Sequence, residues 1–471
     1  MKARRWVGSL IVVCVMGAGL AVGRTVDSKE AKVFDVRSYG AVGDGVAMDT
    51  KALQCAVDAC HAAGGGVVLL GAGSYHIGTL WLKSNVELRL VEGAEVLGSL
   101  SLADYSRDNQ GAIEGPAFDE CLLYAEHAEN IRITGEGSVD GRGYEKNFPI
   151  KLEDGSLGDR PMLIRFVECR NIRLEGVSFK NAASWCTHLV SCDDVVIRDL
   201  AIDSHVNRNN DGLDLDGCKN VLIENCNIRS GDDSICPKST TARICENIVV
   251  KNCRVQSNTA AFKCGTSSRG GFKNISVSDC DFSGTRMGAI KLLAVDGGIL
   301  EDIAIDNIVM NEVEGPIFIR LANRGRTYHQ PTEQIQGKDV EPEGAPVGYA
   351  KNIRISNIKA TVSGDIPKRQ GIMISGIPGH CIEDVVLENI EISYSGGGTA
   401  EDAAREVPED IARYPEQFFF GVLPSWGAFV RHAKNVEFKN VKMTTRTPDA
   451  REKIVLVDVE GFSEVETLPA R

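Results

Sequence analysis

From residue 129 onward one phrase of polar and apolar positions recurs along the chain. It reads ENIRITG at 129, RNIRLEG at 170, DDVVIRD at 193, KNVLIEN at 219, ENIVVKN at 246 and KNISVSD at 273. EDIAIDN at 301, KNIRISN at 351, EDVVLEN at 383 and KNVEFKN at 434 continue it. Each phrase is a polar corner, usually Asn, followed by aliphatic residues at alternate positions, the pattern of a short strand with one buried face. The corners Asn171, Asp194, Asn220, Asn247, Asn274, Asp302, Asn352, Asp384 and Asn435 stand about 23 to 32 residues apart, save for two steps of about 50 that hold two units each.

A unit this short cannot bury its own apolar face, so successive units must stack as coils around one continuous core. The pattern predicts an all-β chain, a single-stranded parallel β-helix forming one domain over residues 24–471. Leucine-rich repeats would need a denser Leu consensus, and propeller blades need units of about 40 to 50 residues. Near the start, DTKALQCAVDACHAAGGG predicts a helix begun by Asp49 and ended by the glycines from Gly64, capping the open end of the stack.

Before this, Lys2, Arg4 and Arg5 precede an uncharged apolar run, with Ala21 and Gly23 at the small-residue positions of a cleavage site. Residues 1–23 thus read as a signal peptide, which implies a secreted or periplasmic chain with no membrane attachment after cleavage. The run is interrupted by Gly and short for a spanning helix. A net charge of −13 excludes a general affinity for nucleic acid, which would need a basic face. An anionic substrate must therefore meet a local cluster of cations.

Fourteen of the 15 cysteines lie beyond the leader, and those within the coils follow the repeat. Cys169, Cys192, Cys218 and Cys245 lie two residues before the corner, and Cys226, Cys253 and Cys280 six after it, which predicts two buried ladders rather than metal or catalytic sites. Neighbouring rungs, ~4.8 Å apart, leave a few disulfides open.

Four coils align on an inward apolar residue: Leu213, Ile235, Phe262 and Ile290, with Ile319 as a fifth. Two residues before that position stand Asp211, Asp233, Ala260 and Gly288; one residue after it stand Asp214, Cys236, Lys263, Lys291 and Arg320. One solvent-facing sheet is thereby expected to present carboxylates on early coils and cations on later ones. Carboxylates one rung apart repel, which raises at least one pKa and keeps an acid protonated beside an ionised base, as glycoside hydrolysis requires. For Asn210, Asp214 and Asp216 a role in closing the coils through backbone hydrogen bonds stands level with a functional one. The doublet Asp232-Asp233 stacked over Asp211 gains nothing as a turn former. In so acidic a chain Lys263, Lys291 and Arg320 read as a carboxylate-binding column.

At these residues the sequence resembles the polygalacturonase family, family 28 of the glycoside hydrolases. NNDGLDLDG is similar to the family's N-T-D segment, SGDDSI to its D-D segment and GAIKL to its R-I-K segment. SWCTHLVSCDDVVI, with Trp185 and His188, is similar to the coil before the site, and FDVRSYGAVGDGVAMDTKALQ is shared more widely among pectin-active β-helices. The resemblance spans nearly the whole mature chain. It implies a right-handed helix and hydrolysis of pectic, galacturonate-containing chains with inversion, without cofactor or metal. It also implies Asp232 as general acid, Asp211 and Asp233 holding the attacking water, and Lys291 binding a sugar carboxylate. Two positions depart from the family: Ala260 replaces the His of its G-H-G segment, here TAAFKCGTS, and Ala289 replaces the Arg of R-I-K. Lys263 is expected to supply the missing charge.

Two long segments interrupt the coils. One, from about 321 to 346, holds Arg324, Arg326, Tyr328 and His329; the other, from about 396 to 430, holds Tyr414, Phe418 to Phe420 and Trp426, then Arg431 and His432. Aromatics beside cations suit a sugar acid, which places Arg324 and Trp426 with His188, Asn210 and Asp214 among the expected substrate contacts; core packing of the phenylalanines is the competing reading. A monomer is expected. The rival readings are a lyase or epimerase on the same scaffold, its Asp cluster ligating Ca²⁺, and a noncatalytic glycan-binding β-helix.

Overall fold

The computed structural model describes residues 32–106, 120–326, 346–363 and 371–466. The leader at 1–23 and the side chains of Tyr328 and His329 lie outside the described residues. Among the described residues, 33 strands join into one sheet that winds as a right-handed parallel β-helix, and every ladder between strands is parallel.

The recurring phrase forms one wall of this helix. Its first apolar position stacks as Ile131, Ile172, Val195, Val221, Ile248, Ile275, Ile303, Ile353, Val385 and Val436, each paired in register with the next. All ten side chains are buried. Each such burial stabilises the stack by roughly 1.5 to 3 kcal/mol relative to exposure, so the ladder is the main cohesive element of this wall. The described cysteines are free thiols, and the two predicted ladders are buried in the core.

The corners show why Asn recurs. Asn130, Asn171, Asn220, Asn247, Asn274, Asn352 and Asn435 all have φ between 53° and 59°, a left-handed conformation that Asn tolerates better than other non-glycine residues. Their amides also bond from rung to rung: Asn247 donates to Asn220 at 3.0 Å and Asn274 to Asn247 at 2.8 Å. A second ladder runs at the phrase's last residue, where Asn252 donates to Asn225 at 2.7 Å and Asn440 to Asn389 at 3.0 Å.

The expected helix spans Thr50–Ala62 and buries Leu53, Ala56, Val57 and Cys60 against the first coil. Asp49 stands at its N-cap, but its carboxylate accepts from Val42 N and Gly43 N, at 2.7 and 3.0 Å, and fastens the preceding turn instead.

Replacing Asn247 by Ala removes two ladder bonds and leaves in the left-handed region a residue that tolerates it less well than Asn. The expected loss is about 2 kcal/mol, read by denaturant unfolding. Asn247→Gly keeps the backbone conformation and is expected to lose less than half as much; equal losses would show that conformation contributes nothing.

Candidate active site

Asp211, Asp232 and Asp233 leave the turns that lead into the strands Leu213–Asp216 and Ile235–Lys238. The side chain of Asn210 sets where these turns lie. Its amide donates to Ala182 O and Ser184 O, at 2.8 and 2.9 Å, and its oxygen accepts from Val206 N and Asn207 N, at 2.9 and 2.8 Å. The coils then approach so closely at Gly212 that a Cβ there would stand 2.4 Å from Ser234 O. Asp233 and Asp211 thus rise side by side, with carboxylate oxygens within 4.8 Å of one another.

Thr259 joins the doublet. Its hydroxyl is 3.0 Å from Asp232 Oδ1 and 2.9 Å from Asp233 Oδ1, while Asp233 N donates to Asp232 Oδ1 at 2.9 Å. Asp232 is half-buried and reaches solvent; Asp211 and Asp233 are buried. The two members of the doublet ionise differently. Burial and the adjacent Asp233 charge raise Asp232 above the usual carboxylate range. Burial would raise Asp233 too, but Lys263, Lys291 and Lys238 outweigh it and hold Asp233 well below that range. Lys263 Nζ lies 2.7 Å from Asp233 Oδ2.

Lys238 is a functional residue that the sequence reading missed. Its ammonium lies 3.2 Å from Asp211 Oδ2, 3.2 Å from Cys236 Sγ and 4.7 Å from the centre of the Trp185 ring. It also stands 3.0 Å from Asp214 Oδ1, as an ion pair without a directed hydrogen bond. Burial pushes Asp214 up to about 7, with Lys238 opposing it. Asp211, Asp233 and Cys236 are grouped closely enough to ligate a cation, and the Lys238 ammonium stands beside two of the three. Alternation gave a usable signal, since Lys238 is two residues beyond Cys236 on the same face.

The segment after residue 404 folds across the outer face of the same sheet. Glu416, also missed, bonds to Lys291 Nζ and stands 3.7 Å from Lys263 Nζ. Tyr414 accepts a hydrogen bond from Thr266 at 3.0 Å, and its ring faces both Lys263 and Arg324. Phe420 and Leu423 pack with Leu293, Phe318, Met373 and Phe429 in a second apolar cluster outside the helix. Core packing is therefore the role of Phe420, while Phe418 and Phe419 are half-buried.

The expected sites are partly brought together. Asp211, Asp232, Asp233, Asp214, Lys263 and Lys291 form one cluster, but its sheet is not solvent-facing: Lys263 is 3% and Lys291 0% exposed. Arg320 is corrected in register, because Lys291 pairs with Phe318 and Arg320 with Leu293. The guanidinium of Arg320 binds Ser375 Oγ, Gly376 O, Glu409 O and Asp410 O, so it anchors the covering segment rather than meeting a ligand. Arg324 is likewise committed, in a two-pronged bond to Asp296 at 2.9 and 2.6 Å. Trp426 packs inward against Tyr394. His188 is buried beside Trp185 with Nε2 3.4 Å from Asp216 Oδ2, and burial pulls its pKa down to about 4, so it is neutral near pH 7.

Removing the Lys238 charge tests this electrostatic centre. Lys238→Met leaves Asp211 and Asp214 facing each other in the interior, with an expected stability loss of about 3 kcal/mol near neutral pH. Raised carboxyl pKa values contribute stability when the groups are protonated and lose it as pH rises through them. The deficit of the variant in thermal melts should therefore shrink from about pH 8 to about pH 5. A deficit that grows on acidification would refute the arrangement.

Comparison with known proteins agrees with this geometry. The family model for glycosyl hydrolases family 28 matches residues 109–412. A probable polygalacturonase of Arabidopsis thaliana is 29% identical over 297 residues, 61% of this chain and 61% of the relative, so the match covers under two thirds of that protein's own length. An exopolygalacturonase of Zea mays is 25% identical over 423 residues, covering 84% of this chain and 92% of the relative. The solved family 28 exopolygalacturonase of Yersinia enterocolitica superposes with a TM-score of 0.70 at 20% identity, covering 93% of this chain and 79% of that one, and shares its fold. With its aspartates gathered on a parallel β-helix and the family match running through them, the chain belongs to family 28 of the glycosyl hydrolases.

Proposed function

We propose that the protein is an inverting glycosidase that hydrolyses galacturonate-containing pectic polysaccharides or oligosaccharides. The observation that carries this reading is the geometry of the adjacent carboxyls: Thr259 bridges Asp232 and Asp233, Lys263 sits on Asp233 and Asp211 stands beside it, an arrangement that favours the protonated form of Asp232 and the ionised form of Asp233. Such a split supplies a proton donor and a base in one site near neutral pH.

In this mechanism Asp232, the member open to solvent, gives its proton to the glycosidic oxygen as the bond from that oxygen to the anomeric carbon breaks. Asp211 and Asp233, with oxygens within 4.8 Å, hold one water between them. That water attacks the anomeric carbon from the opposite face and gives its proton to the pair. The product is a reducing end of inverted configuration; the proton returns to Asp232 through solvent. Lys263 keeps Asp233 ionised by ion pairing, a role that does not require contact with sugar, while Lys238 opposes the upward pull of burial on Asp211. The mechanism uses no cofactor. Residues 1–23 serve as an export leader, and the mature chain acts outside the cytoplasm as a monomer.

Reducing-end release from homogalacturonan, rhamnogalacturonan and their oligosaccharides tests the reading. Asp232→Asn should lower kcat by about 10³-fold with an unchanged melting temperature, and EDTA should spare wild-type turnover. Activity should fall as pH rises through the raised Asp232 pKa, where the acid is lost, and again in strong acid, where Asp233 is protonated. Undiminished turnover in Asp232→Asn would remove it as the acid, and an unsaturated product absorbing in the ultraviolet would replace hydrolysis by elimination.

A further inference from the structure

Building on the glycosidase reading, we propose that Glu416 is a specificity residue: its carboxylate fills from within the chain the anion site made by Lys263 and Lys291, so the sugar bound there carries no free carboxylate.

Three observations lead to this. The first is the state of the two lysines. Lys291 is wholly buried with Glu416 Oε2 on its ammonium, and Lys263 is divided between Asp233 at 2.7 Å and Glu416 at 3.7 Å. Neither presents an unpaired charge to the groove. Lys291 is paired with Glu416, Lys263 with Asp233 and Glu416, and Lys238 with Asp211 and Asp214, so each of the three ammonium groups already has a carboxyl partner. A free uronate entering here would add an anion to a cluster without surplus positive charge, and its desolvation would go uncompensated.

The second observation is that Glu416 is held in place. Arg320 donates to Glu409 O and Asp410 O at 2.6 and 3.1 Å, and Arg431 to Val407 O and Pro408 O at 2.8 and 2.9 Å. Asn323 N donates to Ile411 O at 2.9 Å, and Gln417 Nε2 to Gly371 O at 2.7 Å. With Phe420 and Leu423 in the outer apolar cluster, the segment is fastened on both sides of Glu416. This is a built wall of the site, not a strap that an incoming carboxylate displaces.

The third is the floor beneath it. Ala260 and Gly288 are paired in register, and Gly315 lies on the next rung, its carbonyl accepting from Ala289 N at 3.1 Å. A Cβ at Gly315 would stand 2.2 Å from Gln417 Oε1, and one at Gly288 would stand 3.1 Å from Lys291 Cε. This column of small residues is what lets Gln417 and the lysine stem lie against the sheet. The alanine at 260, where the resemblance leads one to expect a histidine, belongs to the same remodelling.

The ligand class at this position is a neutral sugar or an esterified uronate, next to a glycosidic bond in a pectic chain. The test compares kcat/KM on oligogalacturonides with free carboxylates, on the same oligomers fully methyl-esterified, and on rhamnogalacturonan oligosaccharides, which alternate neutral and acidic sugars. Wild type should favour one of the latter two over the free acid by about tenfold or more. Glu416→Gln should shift that ratio toward the free acid by about tenfold, chiefly through KM, because it frees Lys291 for a substrate carboxylate. Thermal melts run beside the kinetics, and if the variant does not fold the wild-type ratio decides alone. Wild-type preference for the free acid, or a ratio unmoved in folded Glu416→Gln, overturns the inference and leaves the glycosidase reading standing; no turnover on any of the three overturns both.

Discussion

Everything in this molecule depends on the register between neighbouring coils. A coil of a β-helix has no stable existence alone, because its backbone edges and its inward side chains are satisfied only by the coils above and below. Once Val195 is fixed against Ile172 and Val221, the outward residues of the same coil are fixed as well, at a spacing of ~4.8 Å per rung. The candidate active site is a product of that constraint. Asp211, Asp233 and Lys263 come from three successive coils, and only stacking brings them together.

Placing so much charge under cover has an electrostatic requirement. A buried carboxylate is tolerated when a cation and hydrogen bonds offset its lost hydration. The three lysines meet this requirement unevenly, and the unevenness is useful. Asp233 feels all three and stays ionised, whereas half-buried Asp232 is raised by burial and by the adjacent Asp233 charge, which outweigh Lys263 and Lys238. Asp214 and Asp211 share Lys238, and burial raises both. The chemistry therefore follows from where each lysine stem ends, and each end is set by its rung.

Much of this was legible in the sequence, because periodicity reports faces directly. Alternation gave the inward residues, the cysteine ladders and the pairings of Leu213 with Ile235 and of Phe262 with Ile290. Its limit shows at Arg320. Ile317 and Ile319 both point inward, so a period of two identified the face correctly and left the rung uncertain by two residues. Lys238 obeyed the pattern and was passed over. Glu416 obeyed none, since it lies 125 residues from Lys291 in a segment without repeat, and no spacing rule connects them. Arg320 and Arg431 looked like ligand cations because a sequence cannot distinguish a guanidinium facing a sugar from one facing backbone carbonyls.

The departures at 260 and 289 make sense together only when that distant segment is included. Taken singly, the loss of an imidazole and of a guanidinium from the edge of a catalytic cluster suggests a site decaying toward mere binding. The aspartates argue otherwise, since their ionisation remains split and their supports, from Thr259 to Lys238, are complete. The small side chain at 260 clears the floor, Lys263 supplies a cation one rung from Lys291, and Glu416 closes over both. The two losses thus stand beside a lysine pair that Glu416 meets, next to a doublet whose proposed acid and base keep their supports. On the proposed reading, a different sugar at one position, with the bond-breaking groups kept, accounts for the two losses together with the contacts of Lys263 and Glu416.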